Sequence, residues 1–207
     1  SLCSWVFESV HGEACYRSPR CCKTFVRYVA GTVGWGCWYG RKQSNIVQLT
    51  GYCDSDMGGD VDDRKSTIGV VFALGENIIT WQSQKQKMVA LSSCEAEYIA
   101  VTTAACQGIW LARLISEITG DEKKCVVLKV DNKSAISLCK NPLLNDRSKH
   151  IDTRFHFIRD YVEKKEIEVE YVRTEEQVDD ILTKSLGRVK FQELQGRLGM
   201  LEIQPQY

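Results

Sequence analysis

Ile46-Val47-Gln48-Leu49-Thr50-Gly51-Tyr52-Cys53-Asp54-Ser55-Asp56 is the stretch on which the fold turns. Val47, Leu49, Gly51 and Cys53 alternate with polar or aromatic residues, the two-residue period of a strand. The run closes on aspartates, and Gly58 and Gly59 break it. A strand that ends on carboxylates and a turn places acidic side chains at a sheet's carboxyl end, where open sheets collect their sites.

Downstream, Thr67 to Leu74 and Asn77 to Gln82 are two further strand-like runs, joined by Gly75 and Glu76 as a tight hairpin. Three early strands with short links pair antiparallel. The period then changes: Ser92-Ser93-Cys94-Glu95 is a capping box, and the apolar run beyond it reaches Ile118 before Gly120 stops it, which predicts one long, largely buried helix. Cys125 to Val130 reads as an apolar strand interrupted by Lys129, ending at Asp131 and leading into a helix around Ala135, Ile136 and Leu138. A polar loop from Asn141 to Lys149 and a helix from Arg154 to Lys164 follow. Ile167, Val169 and Tyr171 alternate with glutamates as a fifth strand, and Thr174-Glu175-Glu176-Gln177 forms a second capping box expected to open a last helix. The order β, β, β, α, β, α, α, β, α predicts an α/β fold: a five-stranded mixed sheet, three antiparallel strands and then parallel ones, with helices on both faces.

Upstream, residues 1–22 show neither period and are expected to be poorly ordered. Lys23 to Ala30 predicts a short amphipathic helix stopped by Gly31, and Gly34, Gly36 and Gly40 make a turn-rich connector. The chain has 207 residues, 43% hydrophobic and 26% charged, with 3 Pro, a composition able to bury a core. Its 27 basic residues balance 27 acidic ones, which removes a strongly basic chain as the route to nucleic acid. No stretch approaches about 18 consecutive apolar residues, and the first residues lack the pattern of a secretory signal, so no membrane partner is expected. The ten cysteines contain no CxxC pair, and Cys3, Cys15, Cys21 and Cys22 fit no common zinc spacing. Reduced thiols in an intracellular protein are the expectation, the later cysteines being small buried residues.

Four acids fall where a site is expected: Asp54 after the first strand, Glu97 in the first turn of the long helix, Asp131 after the fourth strand and Asp180 in the first turns of the last helix. Singly, each reads as an ordinary exposed or capping carboxylate. Brought together, four carboxylates repel and raise one another's pKa unless cations neutralise them. Mg²⁺ suits such oxygen ligands and keeps positions open for water and phosphate. Two ions about 4 Å apart hold the attacking water and the leaving oxygen of an in-line phosphoryl displacement. His11, His150, His156 and the serines show no local nucleophile motif. Glu95 and Glu97 stand about 200° apart around a helix, so they cannot both face the sheet. Glu95 holds the capping position, whereas Glu97 heads a stripe of small residues, Ala100, Val101, Ala104 and Gly108, suited to close packing.

Gly51-Tyr52-Cys53-Asp54-Ser55-Asp56, Asp62-Asp63-Arg64-Lys65-Ser66-Thr67, Ser92-Ser93-Cys94-Glu95-Ala96-Glu97-Tyr98 and Val130-Asp131-Asn132-Lys133-Ser134-Ala135 resemble the ribonuclease H domain of copia-type retrotransposon Pol polyproteins. Lys149-His150-Ile151-Asp152, Arg154-Phe155-His156-Phe157-Ile158-Arg159 and Asp180-Ile181-Leu182-Thr183-Lys184 are similar to later blocks of the same family, in the same order. The resemblance covers roughly residues 23–200. It implies a ribonuclease H-like fold that cuts the RNA strand of an RNA/DNA hybrid with two Mg²⁺ ions, Mn²⁺ being the substitute, at Asp54, Glu97, Asp131 and Asp180. It selects Asp180 over Asp179, which periodicity leaves open. It implies residues 23–45 as the tail of a reverse-transcriptase connection, 46–186 as the ribonuclease H-like domain and 187–207 as a C-terminal helix and tail. The implied partners are the hybrid and the polyprotein's reverse-transcriptase domain, in cytoplasm, nucleus or virus-like particles. Three departures from the family pattern, Met57 for Trp, Asp179 for Ala and the unlike residues 1–22, open a second reading: an inactive retrotransposon remnant that keeps the fold.

Besides Lys129 of the predicted strand, the chain from Lys123 to Lys165 supplies ten bases that could meet phosphates, Lys123, Lys124, Lys133, Lys140, Arg147, Lys149, Arg154, Arg159, Lys164 and Lys165, while acids concentrate at 54–63 and 166–180. Lys133, Lys149, His150 and Arg154 are the candidate substrate contacts. Two rivals fail on the residues. A calcium loop starting at Asp54 has Lys65 where a bidentate Glu is required. An aspartyl phosphatase using Asp54 and Asp56 needs a helix where hairpins follow.

Overall fold

The computed structural model describes residues 19–40, 48–140 and 152–203. Among these, residues 19–40 and 185–203 belong to one compact unit and residues 48–184 to another. The chain enters the first unit through α1 (Pro19–Thr32). Proline opens it at the position where an N–H would have no partner anyway, four residues earlier than the apolar period indicates. Gly31 does not stop the helix, which ends one residue later with the Thr32 hydroxyl donating to Tyr28 O. Residues 19–22, read as part of the start segment 1–22, belong to α1, and residues 1–18 lie outside the described residues. A three-residue strand, β1 (Trp35–Cys37), follows.

The second unit starts with β2 (Leu49–Ser55), β3 (Thr67–Leu74) and β4 (Asn77–Lys85). β2 and β3 pair antiparallel from Leu49 opposite Leu74 to Ser55 opposite Ile68, and β3 and β4 pair across Gly75, whose φ of 63° the turn requires. The long helix is α2 (Ser93–Thr119). Ser92 Oγ accepts from Glu95 N, Glu95 Oε2 accepts from Leu91 N, and Gly120 closes the helix at φ 74°. β5 (Val126–Val130), α3 (Lys133–Lys140), α4 (Asp152–Glu163) and β6 (Ile167–Tyr171) complete two parallel pairings, β2 with β5 and β5 with β6. The sheet order is β4-β3-β2-β5-β6, three antiparallel strands followed by parallel ones, as the period analysis predicts.

The second capping box does not form. Thr174–Glu176 is a single 3₁₀ turn, and the helix after it, α5, is only Asp180–Thr183. Both ends of the motif are diverted: the Thr174 hydroxyl donates to Asp131 Oδ2 at 3.0 Å, and Gln177, fully buried, donates its amide to Cys53 O at 3.0 Å. Beyond α5, the first unit resumes with α6 (Arg188–Arg197) and β7 (Met200–Glu202), and β7 pairs antiparallel with β1, Trp35 opposite Glu202. Residues 35–37, read as connector, and 200–202, read as tail, thus form a two-stranded sheet.

One core joins α2, α3 and α4 to one face of the five-stranded sheet. A Cβ on Gly51 would stand 2.6 Å from Phe72 Cε1 of the neighbouring strand, and one on Gly108 would stand 2.9 Å from Val126 Cγ1, so α2 approaches the sheet closely at Gly108. Gly69, three residues from Phe72 and hence on the opposite face, is covered by α5, with Thr183 Cγ2 at 2.7 Å from its would-be Cβ. α2 is long and apolar enough to span a bilayer by composition alone, yet its buried residues run from Ala96 to Ala112. Cys53 and Cys139 are buried as expected for apolar runs, whereas Cys106 is exposed; both kinds are free thiols.

Candidate metal centre

The register of the parallel strands sets the site. Tyr52 lies opposite Lys129, so two residues further on Asp54 and Asp131 leave the sheet level with each other. Gln86 ties the first turn of α2 to the same end, its amide donating to Ser55 Oγ at 3.1 Å and to Ala96 O at 3.0 Å. Glu97 follows directly. One carboxylate oxygen from each of Asp54, Glu97 and Asp131 lies within 4.8 Å of the others. Asp54 and Glu97 are buried and Asp131 is half-buried.

These acids are held against their own repulsion. Burial first, then the charges of Asp54 and Asp131, push the Glu97 carboxyl up to about 10. Its buried Oε2 has no hydrogen-bond partner. Burial and the charge of Asp54 also raise Asp131, against the donation from Thr174. Asp54 Oδ2 accepts the Thr183 hydroxyl at 2.6 Å. Asp180, at the start of α5, joins the group differently: Lys184 Nζ stands 2.6 Å from Asp180 Oδ1 and 3.1 Å from Asp54 Oδ2. Burial raises Asp180, and Lys184 opposes that rise. Asp179 is fully buried with both carboxyl oxygens unpartnered, and burial followed by the charge of Asp54 drives it well above the ordinary carboxylate range.

A hard divalent cation fits this donor set. Oxygens bound to one ion at about 2.0–2.6 Å lie within about 4.0–5.2 Å of each other; the 4.8 Å span falls inside that range, and Mg²⁺, at about 2.0–2.1 Å, requires the three oxygens to draw within about 4.2 Å. The unpartnered Glu97 Oε2 is satisfied by a proton or a cation. Among the described residues the cluster is made of carboxylates alone, the oxygen donors that hard ions take.

Of the four predicted acids, three converge and the fourth adjoins Asp54 through an ammonium. Among the predicted substrate contacts, Lys133 is exposed at the start of α3, its Nζ 4.9 Å from the centre of the Tyr171 ring. Arg154 lies within α4, and Lys149 and His150 lie outside the described residues. Lys123 and Arg159 are tied to Glu166 and Glu163, so the run of ten bases is not uniformly available to phosphates. Sequence reasoning missed Thr183, Thr174, Gln177, Gln86 and Lys184, which orient the acids or the backbone around them. The motif blocks contain Thr183 and Lys184, but their partner Asp54 is far away in the chain.

No family model matches the chain. It is 43% identical over 178 residues to the retrovirus-related Pol polyprotein from transposon TNT 1-94 of Nicotiana tabacum, an alignment covering 86% of this chain and 13% of that protein. It is 39% identical over 183 residues to the Pol polyprotein from transposon RE2 of Arabidopsis thaliana, covering 88% of this chain and 12% of that protein. The chain is homologous to a segment of transposon Pol polyproteins. This Pol homologue spans about an eighth of their length. Among solved structures it is similar to LC11-RNase H1, isolated from compost, with a TM-score of 0.49 and 16% identity, covering 67% of this chain and 94% of that one.

Proposed function

We propose that this Pol homologue hydrolyses the RNA strand of RNA/DNA hybrids with two Mg²⁺ ions, as the ribonuclease H part of a copia-type retrotransposon polyprotein. The observation that carries the reading is the convergence of Asp54, Glu97 and Asp131 at the carboxyl ends of β2 and β5, with Asp180 beside Asp54. Bound ions would supply charge neutralisation for the scissile phosphate and an activated water. Asp54 belongs to both halves of the site and is the carboxylate to be shared. Glu97 contributes the unpartnered Oε2, and Asp131 holds its carboxylate against the Thr174 hydroxyl. Mn²⁺ substitutes for Mg²⁺, since both accept an oxygen set. Lys133, Lys149, His150 and Arg154 are the residues to meet the phosphates and sugar hydroxyls of the hybrid, and the partner in the polyprotein is its reverse-transcriptase domain.

The deciding experiment incubates a labelled hybrid with the purified chain and Mg²⁺ beside an Asp131→Asn control. Cleavage by the wild type alone supports the assignment, and equal cleavage by both sinks it. A second reading, an inactive remnant that retains the fold, is favoured by Asp179, a buried unpartnered carboxyl where the resembling family has Ala. Absence of cleavage by either protein selects it.

A further inference from the structure

The two halves of the acidic site are not equivalent in the ion-free chain. Glu97 Oε2 has no hydrogen-bond partner, and Asp131 is met by the Thr174 hydroxyl, with the Lys184 charge acting on it from beyond ion-pair distance. The Asp54–Asp180 half is already filled by a cation, the Lys184 ammonium, 3.1 Å and 2.6 Å from the two carboxylates. We propose that Lys184 sets the order and strength of ion binding: its ammonium occupies the Asp54–Asp180 half, and a second divalent cation enters there only by displacing it. The inference rests on the two-ion reading of the site.

The local structure makes such displacement feasible. Lys184 caps the single turn of α5, its N–H donating to Asp180 O, so the backbone is fixed while the side chain folds back over the turn. That side chain is 39% exposed, against 1% for Asp54, and it has a path into water. The other ligand of Asp54 Oδ2, the Thr183 hydroxyl, is buried and stays in place. Both carboxylates are buried but the ammonium is half-exposed, so solvent screens the pair in part and the long side chain loses entropy on pairing. A divalent ion carries twice the charge and binds oxygen at about 2.0–2.1 Å in the case of Mg²⁺. The two cations cannot share the gap. The Glu97 half therefore loads first and the Asp180 half second.

The test is Mn²⁺ titration of the full chain by calorimetry, with wild type, Lys184→Met, Lys184→Arg and the surface control Lys140→Met. Wild type is expected to bind two ions in separable phases. Lys184→Met should tighten the weaker phase by about three- to tenfold and leave the stronger nearly unchanged. Lys184→Arg and Lys140→Met should resemble wild type, which separates local competition from mere loss of a positive charge. Lysine-ammonium NMR of the wild type, with Mg²⁺ as the ion, gives a second readout independent of any variant's folding: the Lys184 signal should change as the second ion binds and not as the first does. Two-phase binding that is identical in Lys184→Met, or a Lys184 signal indifferent to the second ion, overturns the inference while leaving the two-ion reading intact. No ion binding by any of the proteins overturns both.

Discussion

Two acidic regions of this molecule look alike in sequence and behave oppositely in structure. The loop after β2 carries Asp56, Asp60, Asp62 and Asp63, a denser run than the site itself. There each anchoring carboxylate has its donors built in. Asp60 accepts from the N–H groups of Asp62 and Asp63 and pairs with Lys85 at 2.5 Å, Asp56 accepts from Thr67 N, and Asp63 is bonded to Lys65 and Lys85. Asp60 is accordingly held well below the ordinary carboxylate value, chiefly by Lys85, and Asp63 lies below it despite a desolvation penalty, whereas Asp56, next to the site, is raised by burial in spite of its donors. At the ends of β2 and β5 the carboxylates instead confront one another, and Glu97 and Asp131 rise. What distinguishes the two regions is how many of the oxygens have donors or a cation of their own within reach. Acid density alone is silent on it.

That contrast is exposed most sharply by matched substitutions. Asp131→Asn is expected to lower hybrid cleavage by about two to three orders of magnitude, the several kcal/mol an ion contributes to the transition state. Asp60→Asn should leave cleavage nearly untouched and lower the melting temperature, because it removes a turn anchor. Hybrid cleavage and thermal unfolding of both variants check the pair. A smaller effect belongs to Thr183→Val, which removes the hydroxyl on Asp54: about ten- to a hundredfold in cleavage or ion affinity, with the fold retained, measured by steady-state kinetics and calorimetry.

The pH response should separate the two regions as well. Folded, Glu97 keeps its proton up to about 10, whereas its ordinary value is 4.5, so the unfolded chain releases it first. The ion-free fold therefore loses stability as pH rises through that interval, with Asp54, Asp131 and Asp179 as the facing acids. Saturating Mg²⁺ should flatten the slope, because an ion replaces the proton. Melting curves from pH 5 to about 9 with and without the ion test this; an ion-free slope of opposite sign would refute the protonated Glu97. Smallest is Asp179→Ala, expected to raise ion-free stability by about 1–3 kcal/mol by removing an unpartnered buried carboxyl, read from denaturant unfolding.

The strands, the long helix and three of the acids were legible because their signals are local. Alternation marks β2, the capping box marks the start of α2, and Asp131 directly follows an apolar strand. The same motif logic misread Thr174 to Gln177, and the reason is tertiary. Cys53 O leaves the sheet without a strand partner on that side, and Gln177 is drawn into the core to donate to it, 124 residues away in sequence. Thr174 is drawn to Asp131. A capping pattern records what side chains can do for their own helix, and here distant groups with greater need take both of them. Lys184 escaped notice for a similar reason: its i,i+4 spacing to Asp180 suggests an ordinary surface pair, and only the fold brings Asp54 to the same ammonium.

The close approach of α2 to the sheet at Gly108 reaches beyond packing. Gly108 lies eleven residues past Glu97, about 16 Å along a rigid helix, while Gln86 pins the near end of that helix to β2. The helix is thus a lever with its pivot beside the carboxylates. Added bulk at the far end, where a Cβ would already press on Val126 and Phe72, tilts α2 and changes the gap between Glu97 and Asp54. The spacing of Glu97 and Asp54 thus depends on a missing side chain that never comes near them.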